Sequence, residues 1–338
     1  MPRGSAIVLA EEARARAALW RDARPHGEPG RPRPACAWDV IYASTFLNLC
    51  EFLALAGDAV SDAATIVYFH ENQLVYPVRR TAEWDYQFAL VNITTALAAD
   101  RCVFNSRYNR DSFLAEIPAF LRLFPDHRPA GIPGRIAASA EVLAPPFDAA
   151  LIDSVPLTRG LRPRIVWPHR WEHDKDPDTF LRAAHALAGE GLDFEVAIAG
   201  QPHRDTRAAI EGAADRLGDR IVHLGQLESP EAYARLLRAS DVAVSTAMNE
   251  FFGLAMIEAS YAGCLPIVPD RLAYPEVYPA ECRYGSFDAL VSQLRSSVIG
   301  RPAPGLLRET ASRFTFDALA AEYLRLFERV AAGQQHNG

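Results

Sequence analysis

The stretch NEFFGLAMIEASYAG, Asn249 to Gly263, sets two glutamates, Glu250 and Glu258, eight positions apart around a glycine and an otherwise apolar run. DVAVSTA, just before it, is short, apolar and β-branched, and reads as a buried strand. After Gly253 the apolar run lengthens to a helix that closes at Gly263, and CLPIVP then reads as the next strand. Strand, turn, helix and strand in that order imply a parallel sheet covered by helices. The turn between strand and helix is then the place to look for chemistry.

The same alternation extends in both directions. Toward the N-terminus of this half lie RIVWPHR, DFEVAIAG and RIVHLGQ as strands. PDTFLRAAHALAGEG, TRAAIEGAADRLG and SPEAYARLLRAS are the helices between them. The first half repeats the pattern. DVIYAS, TIVYFH and RCVFNS are strands, TFLNLCEFLALAG, DYQFALVNITTALAA and RYNRDSFLAEIPAFLRLF are helices, and AEVLAPPF is a short strand-like piece. A proline-punctuated linker at about Asp148 to Arg162 separates the halves. The expected fold is α/β, two Rossmann-like domains with parallel sheets facing a cleft. The domains are residues 1–158 and 159–330, with a C-terminal helix packing back on the first domain and a disordered tail at 331–338. Residues 21–37 are rich in Pro, Gly and Arg and read as a loop. MPRGSAIVLAEE is a candidate outer strand without a following Gly-x-Gly, so the N-terminal domain is expected to be incomplete.

Composition excludes several classes. The chain has 338 residues, 49% hydrophobic and 23% charged, with formal net charge −7, which offers no global footprint for nucleic acid. Arg79, Arg80, Arg107 and Arg110 are candidates for a local basic patch. No apolar run approaches the ~20 residues of a membrane span. Five scattered cysteines without a CxxC pair suit a reduced, cytoplasmic protein. Of 35 basic residues one is a lysine, Lys175.

Residues that follow strands carry the candidate site. The N–H groups of Phe252, Gly253 and Leu254 sit at a helix start, suited to an anion or hydroxyl. Glu250 either complements the helix dipole or meets a sugar. Glu258 lies in an apolar helix where an unpaired acid is costly, and is read as a ligand contact. Arg170 and Lys175 follow a strand and can neutralise a diphosphate leaving group. His169 and His173 form HxxxH without a helix or a zincin glutamate, so no metal is expected there. In the first half His70, Glu71 and Asn72 follow one strand, and Ser106 and Arg107 follow the next. Ser44 and Thr45 end the first strand. No nucleophile elbow, P-loop or Cys/His pair is present.

The second half, over about residues 162–285, resembles the nucleotide-sugar domain of retaining GT-B glycosyltransferases of the family 4 group. The resemblance rests on Glu250-x7-Glu258 with FGL inside, EASYAGCLPIVPD, the Arg170 and Lys175 pair, and LGQLESPEAYARLLRASDVAVSTA. It implies that Arg170 and Lys175 hold the donor diphosphate and that Glu258 binds the nucleotide ribose. Glu250, with the backbone at Phe252, Gly253 and Leu254, then contacts the donor sugar. WDVIYASTFLNLCEFLAL, VYFHENQLVYPVR, NITTALAADRCVFNSRYNRDSFL and FPDHRP resemble the tRNA-queuosine α-mannosyltransferases, so the resemblance covers about residues 38–330. It implies transfer of mannose from GDP-mannose to the cyclopentenediol of queuosine at the wobble position of aspartate tRNA. His70, Glu250, Arg170 and Lys175 would then serve catalysis, with Glu71, Asn72, Ser106 and Arg107 on the acceptor side. No metal and no cofactor beyond the donor is expected, since no Asp-x-Asp motif accompanies the donor loops. The family's opening strand and glycine-rich Ser-His loop have no counterpart here. Two other readings follow: a related transferase with a small-molecule, lipid or glycan acceptor, and a truncated nucleotide-sugar-binding protein without activity.

Overall fold

Two parallel sheets organise the chain, and the computed structural model describes residues 5–23, 38–76, 86–125, 128–204 and 206–334. Contacts divide it into unit 1, Met1–Ala144 with Ala321–Gly338, and unit 2, Pro145–Ala320.

Unit 1 contains α1 (Ser5–Ala23), β1 (Val40–Ser44), α2 (Leu49–Ala56), β2 (Ala64–Phe69), α3 (Tyr86–Ala98), β3 (Arg101–Phe104), α4 (Arg107–Leu121), α5 (Ile132–Ser139) and β4 (Ala140–Val142). Its sheet runs β1-β2-β3-β4, parallel throughout. Every residue of β2 is buried, as expected of a strand covered on both faces. Phe69 stacks on Phe104 at 4.3 Å between ring centroids and meets Phe113 of α4 at 5.0 Å.

The candidate outer strand at the N-terminus is instead part of helix α1. Ala6, Ala10 and Ala17 are buried while Ile7, Val8 and Leu9 stay exposed. Small residues at helical spacing therefore decide the element, and alanine has the highest helix propensity. The apolar Ile-Val-Leu run gave a misleading period. Residues 24–37, most of the loop read at 21–37, lie outside the described residues.

Unit 2 contains α6 (Ala149–Asp153), β5 (Arg164–Trp167), α7 (Pro177–Gly189), β6 (Glu195–Ala199), α8 (Arg207–Asp215), β7 (Ile221–Gly225), α9 (Pro230–Arg238), β8 (Val242–Val244), α10 (Leu254–Ala262), β9 (Leu265–Pro269), α11 (Tyr274–Val277), β10 (Arg283–Tyr284), α12 (Phe287–Gly300) and α13 (Arg308–Ser312). A last helix, α14 (Phe316–Gln334), begins in unit 2 and belongs to unit 1 from Ala321. There Tyr323 donates to the Ala144 carbonyl at 3.0 Å and Arg329 pairs with Glu141 at 2.7 Å. The region read as a linker is not wholly irregular, because Asp148 caps α6 by accepting from Ala150 N–H at 2.9 Å.

The six-stranded sheet of unit 2 runs β10-β9-β8-β5-β6-β7. The first strand of the unit, β5, therefore lies between β6 and β8. Chain order reverses there, and the loops after β5 and β8 diverge from neighbouring strand ends. In an open parallel sheet that switch point is where ligands bind.

Asp241, fully buried ahead of β8, ties this sheet together. Its carboxylate accepts from Arg164 N–H at 2.8 Å and from Arg301 Nε at 2.9 Å, with Arg159 3.3 Å away. Asp241→Ala would orphan the Arg164 N–H and leave two guanidiniums without their carboxylate. The expected loss is about 3–5 kcal/mol, typical of breaking a buried pair. Urea unfolding measures it, and a loss below about 1 kcal/mol would contradict this account.

Candidate active site

The switch point in unit 2 gathers most of the sequence-derived donor residues. After β5 the chain makes a 3-10 turn at His173–Lys175 before Asp176 caps α7. Asp176 takes a left-handed φ of 48° and accepts from Thr179 N–H at 3.2 Å. Long-range hydrogen bonds dock this turn on the loop after β8. Met248 N–H donates to the Asp174 carbonyl at 2.7 Å, and the Thr246 hydroxyl lies 2.8 Å from the carbonyls of Lys175 and Asp176. Trp167 donates its indole N–H to the same hydroxyl at 3.0 Å.

Lys175 stands at the centre of this junction. Its ammonium donates to the Asn249 carbonyl at 2.8 Å, with Asp174 at 3.2 Å and Glu250 at 3.4 Å. Burial opposes the charge, but Glu250 and Asp174 outweigh it and hold the ammonium above its ordinary range. Arg170, by contrast, is exposed and paired with Glu172 at 3.1 Å.

Glu250 caps the helix start. One carboxylate oxygen accepts from Gly253 N–H at 3.0 Å and from Phe252 N–H at 3.3 Å. Two of the three N–H groups read as an open anion site are therefore occupied by the protein's own carboxylate. This follows from the local sequence: a glutamate three residues ahead of an N-terminal glycine can fold back on orphan donors. Gly253 serves a different purpose from ligand approach alone. It adopts φ 89°, and a Cβ there would come 2.9 Å from the Tyr274 ring. Tyr274 itself donates to Ser245 Oγ at 2.6 Å, closing the floor. Leu254 opens α10.

Glu258 is half-buried on α10. Burial pushes its carboxyl up to about 7, against a hydrogen bond from the Tyr233 hydroxyl that favours the ionised form. Burial and this carboxylate together raise the Tyr233 phenol well above its usual range. Tyr233, on α9, was not singled out in the sequence, and its position 25 residues before Glu258 gave no local signal.

The HxxxH histidines part company. His173 is exposed, whereas His169 is buried, packed edge-on to Trp167 at 5.2 Å, with no hydrogen-bond partner at Nε2. Burial, reinforced by Lys175, lowers its pKa to about 3, so the ring is neutral. Gly200 explains part of its setting, since a Cβ there would come 1.9 Å from the His169 carbonyl.

In unit 1 the strand ends carry a second polar group. His70 is exposed after β2, its ring 4.6 Å from Tyr68, and desolvation lowers its pKa. Glu71 accepts from Gln73 Nε2 at 2.8 Å. Asn72 points inward: fully buried, it donates to Asn109 Oδ1 at 2.8 Å and accepts from Val75 N–H at 3.3 Å. Ser106 is the N-cap of α4 and accepts from Asn109 N–H at 2.9 Å. Asn105 donates to the His70 carbonyl at 2.7 Å, fixing that residue's backbone. Arg107 is exposed at the first turn of α4, and Arg110 pairs with Asp111 at 2.8 Å. Arg79 and Arg80 lie outside the described residues.

The chain is similar to known proteins along most of its length. Residues 3–147 match the family model described as tRNA-queuosine alpha-mannosyltransferase N-terminal, and residues 153–280 match glycosyl transferases group 1. A Drosophila melanogaster protein named tRNA-queuosine alpha-mannosyltransferase is 35% identical over 317 residues, 88% of this chain and 83% of that protein. A GDP-mannose-dependent phosphatidylinositol dimannoside mannosyltransferase of Mycobacterium tuberculosis is 30% identical over 166 residues, 47% of this chain and 42% of that protein. Among solved structures, sucrose-phosphate synthase from Thermosynechococcus elongatus superposes with TM-score 0.67 at 18% identity, covering 98% of this chain and 81% of that one. A glycosyltransferase from Rickettsia africae gives 0.65 at 14% identity, with 98% and 83% covered. These likenesses establish the fold as two Rossmann-like domains of the GT-B type.

Glu258 makes the site's electrostatics testable without a ligand. Its folded pKa of about 7 lies above the ordinary value of 4.5. The folded state therefore holds a proton that the unfolded state releases between those values, and this stabilisation is lost as pH rises through the window. Glu258→Gln should raise stability relative to the parent more at pH 8.5 than at pH 5, by about 1–3 kcal/mol. Urea titrations at the two pH values give the difference, and a flat difference would reassign the titration.

Proposed function

We propose that this chain, which belongs to the tRNA-queuosine alpha-mannosyltransferase family, transfers mannose from GDP-mannose to queuosine in tRNA. The observation that carries the reading is a 35% identical relative of that name, aligned through both units rather than through the donor half alone. GDP-mannose as donor is further supported by the mycobacterial relative, whose name states that dependence. Among the described residues no helix is long and apolar enough to cross a membrane, and a cytoplasmic setting suits a tRNA substrate.

Unit 2 is the donor side in this reading and unit 1 the acceptor side. Arg170 and Lys175 hold the diphosphate, Lys175 from a fixed position and Arg170 from an exposed one. The Leu254 N–H adds the positive end of α10, the N–H groups of Phe252 and Gly253 being held by Glu250. Glu250 accepts hydroxyls of the mannose with the carboxylate oxygen not spent on capping. Glu258 accepts the ribose hydroxyls, its carboxylate kept polar by Tyr233. His70, neutral at physiological pH, offers a hydrogen bond to the reacting hydroxyls, with Glu71 and Arg107 on the acceptor. Asn72 and Ser106 act through the backbone they hold.

The sugar C1–O bond to the diphosphate breaks while the cyclopentenediol oxygen bonds to C1 from the same face. The hydroxyl proton passes to the departing phosphate oxygen, and GDP leaves. Positive charge fixed beside that phosphate counts most as its negative charge develops. Among the candidate residues none is placed as a covalent nucleophile, and no metal enters this scheme.

Incubation of the purified chain with GDP-mannose and queuosine-containing tRNA, with unmodified tRNA as control, tests this by nucleoside mass. A hexose on queuosine alone is expected, and hexose on neither substrate would overturn the assignment. Lys175→Ala should lower kcat/KM about 100-fold or more, in line with removal of a group that stabilises a developing anion. Glu250→Gln should retain GDP binding but lose turnover, because its hydrogen bonds to the sugar weaken.

A further inference from the structure

Unit 1 contains a small pocket at the carboxyl ends of β1 and β2, with the acceptor-side candidate Glu71 on its wall. It has a volume of about 130 Å³ and is lined by Thr45, Phe46, Glu71, Gln73, Phe88 and Asn92. That is roughly four times the ~30 Å³ share of a water molecule, room for one planar heterocycle rather than a sugar-phosphate chain.

Its walls are held from three directions. Asn92, 2% exposed on α3, accepts Gln73 N–H at 3.0 Å and donates to the Thr45 carbonyl at 3.3 Å. One buried amide therefore joins the loop after β1 to the loop after β2 and anchors both on α3. Phe88 lies one helical turn before Asn92, on the same face. Phe46 and Phe88 remain 44% and 46% exposed, whereas Phe52, Phe69, Phe104, Phe113 and Phe120 of the same unit are buried. Gln73 Nε2, bonded to Glu71 Oε1 at 2.8 Å, orients that carboxylate on the wall of the same pocket.

Two accessible aromatic faces beside an oriented carboxylate are the chemistry of an unpaired base. Single-stranded RNA is recognised by stacking splayed bases on aromatic rings and bonding their Watson–Crick edges. A carboxylate only accepts hydrogen bonds. It therefore matches an edge with two adjacent donors, the ring N–H and amino group of a guanine-type base. Adenine presents a ring acceptor at the equivalent place and would repel it.

We propose that this pocket is the base subsite for the RNA acceptor, with Phe46 and Phe88 stacking a guanine-type nucleobase and Glu71 accepting from its Watson–Crick edge. This rests on the queuosine reading of the same face and adds what that reading leaves open: how the acceptor base is seated. Queuosine keeps the guanine Watson–Crick edge and carries its cyclopentenediol arm on the five-membered ring, away from that edge. A base seated on Glu71 therefore leaves the arm pointing out of the pocket. The neighbouring residue in the chain is His70, at the end of β2.

The test uses the full chain saturated with GDP, so that guanine cannot occupy the donor side. Anticodon stem-loop RNAs with guanosine, inosine or adenosine at the wobble position are titrated by fluorescence anisotropy. Guanosine should bind about tenfold or more tighter than adenosine, with inosine between them because it lacks the amino group. Glu71→Gln should erase that preference while leaving adenosine affinity within about twofold, as a base-edge contact would. Phe46→Ala and Phe88→Ala should each weaken all three RNAs by about fivefold or more, as loss of stacking does. Unchanged unfolding midpoints for these exposed positions would separate binding from folding. No base preference in the parent, or a preference that survives Glu71→Gln, overturns the proposal. Hexose transfer to queuosine tRNA that is indifferent to all three substitutions would keep the proposed function and remove the subsite. A Glu71-dependent guanine preference without transfer would do the reverse.

Discussion

A half-buried ammonium holds the turn after β5 to the loop after β8. Lys175 reaches from the turn after β5 to the Asn249 carbonyl, between the carboxylates of Asp174 and Glu250. A cation on the turn after β5 thus fixes the path of the chain after β8, where the two loops diverge. Without that charge, Asp174 and Glu250 would face each other with less compensation in a half-buried site, where isolated ions are costly. A compact ammonium suits the place better than a guanidinium, whose planar fork needs a broader surface. In a chain that otherwise uses arginine, that geometric need accounts for the lysine at this position.

The same cluster is balanced rather than simply positive. Glu250 draws on Lys175 and on the N–H groups of Phe252 and Gly253. The donors at this helix start are therefore preformed and already oriented by an internal anion. Such preorganisation lessens the rearrangement needed when charge develops on a leaving group. Glu258 stands apart from this arrangement, because the group that hydrogen-bonds it and favours its ionised form is a phenol and not a cation. Desolvation accordingly dominates its titration, whereas at Lys175 desolvation is outweighed by attraction and hydrogen bonding from Glu250 and Asp174 together.

Unit 1 uses uncharged groups for the equivalent task. Asn72, Asn92, Asn105 and Asn109 are all buried and each spends its amide on backbone or on another amide. A fully satisfied amide network stiffens loops at low electrostatic cost. It leaves His70 and Glu71 carried on backbone that is hydrogen-bonded from below. Polar residues after β2 and β3 thus divide into those that face outward and those that hold them there.

Much of this was legible before any coordinates. Alternating apolar runs and helical spacing placed β1 to β9 and most of the helices between them, because those signals are local and repeat within a few residues, while α5, α6, α11, β10, α12 and α13 were not read. The acid pair at Glu250 and Glu258, and the cation at Lys175, stood out for the same reason. What remained hidden depends on contacts far apart in sequence. Lys175 and Asn249 are 74 positions apart and Asn92 and Thr45 are 47, so their pairing exists only once the sheets order the strand ends. Asn72 and Ser106 read as acceptor-side candidates at strand ends, and only packing shows them turned inward. The start of the helix at Ser5–Ala23, within MPRGSAIVLAEE, read as a candidate strand because three branched or long apolar residues lie together, whereas its buried stripe is alanine. Sequence period determined the elements and the residue types at their ends. Tertiary structure alone decided which of those ends meet, since burial and long-range hydrogen bonding choose among side chains that are locally equivalent.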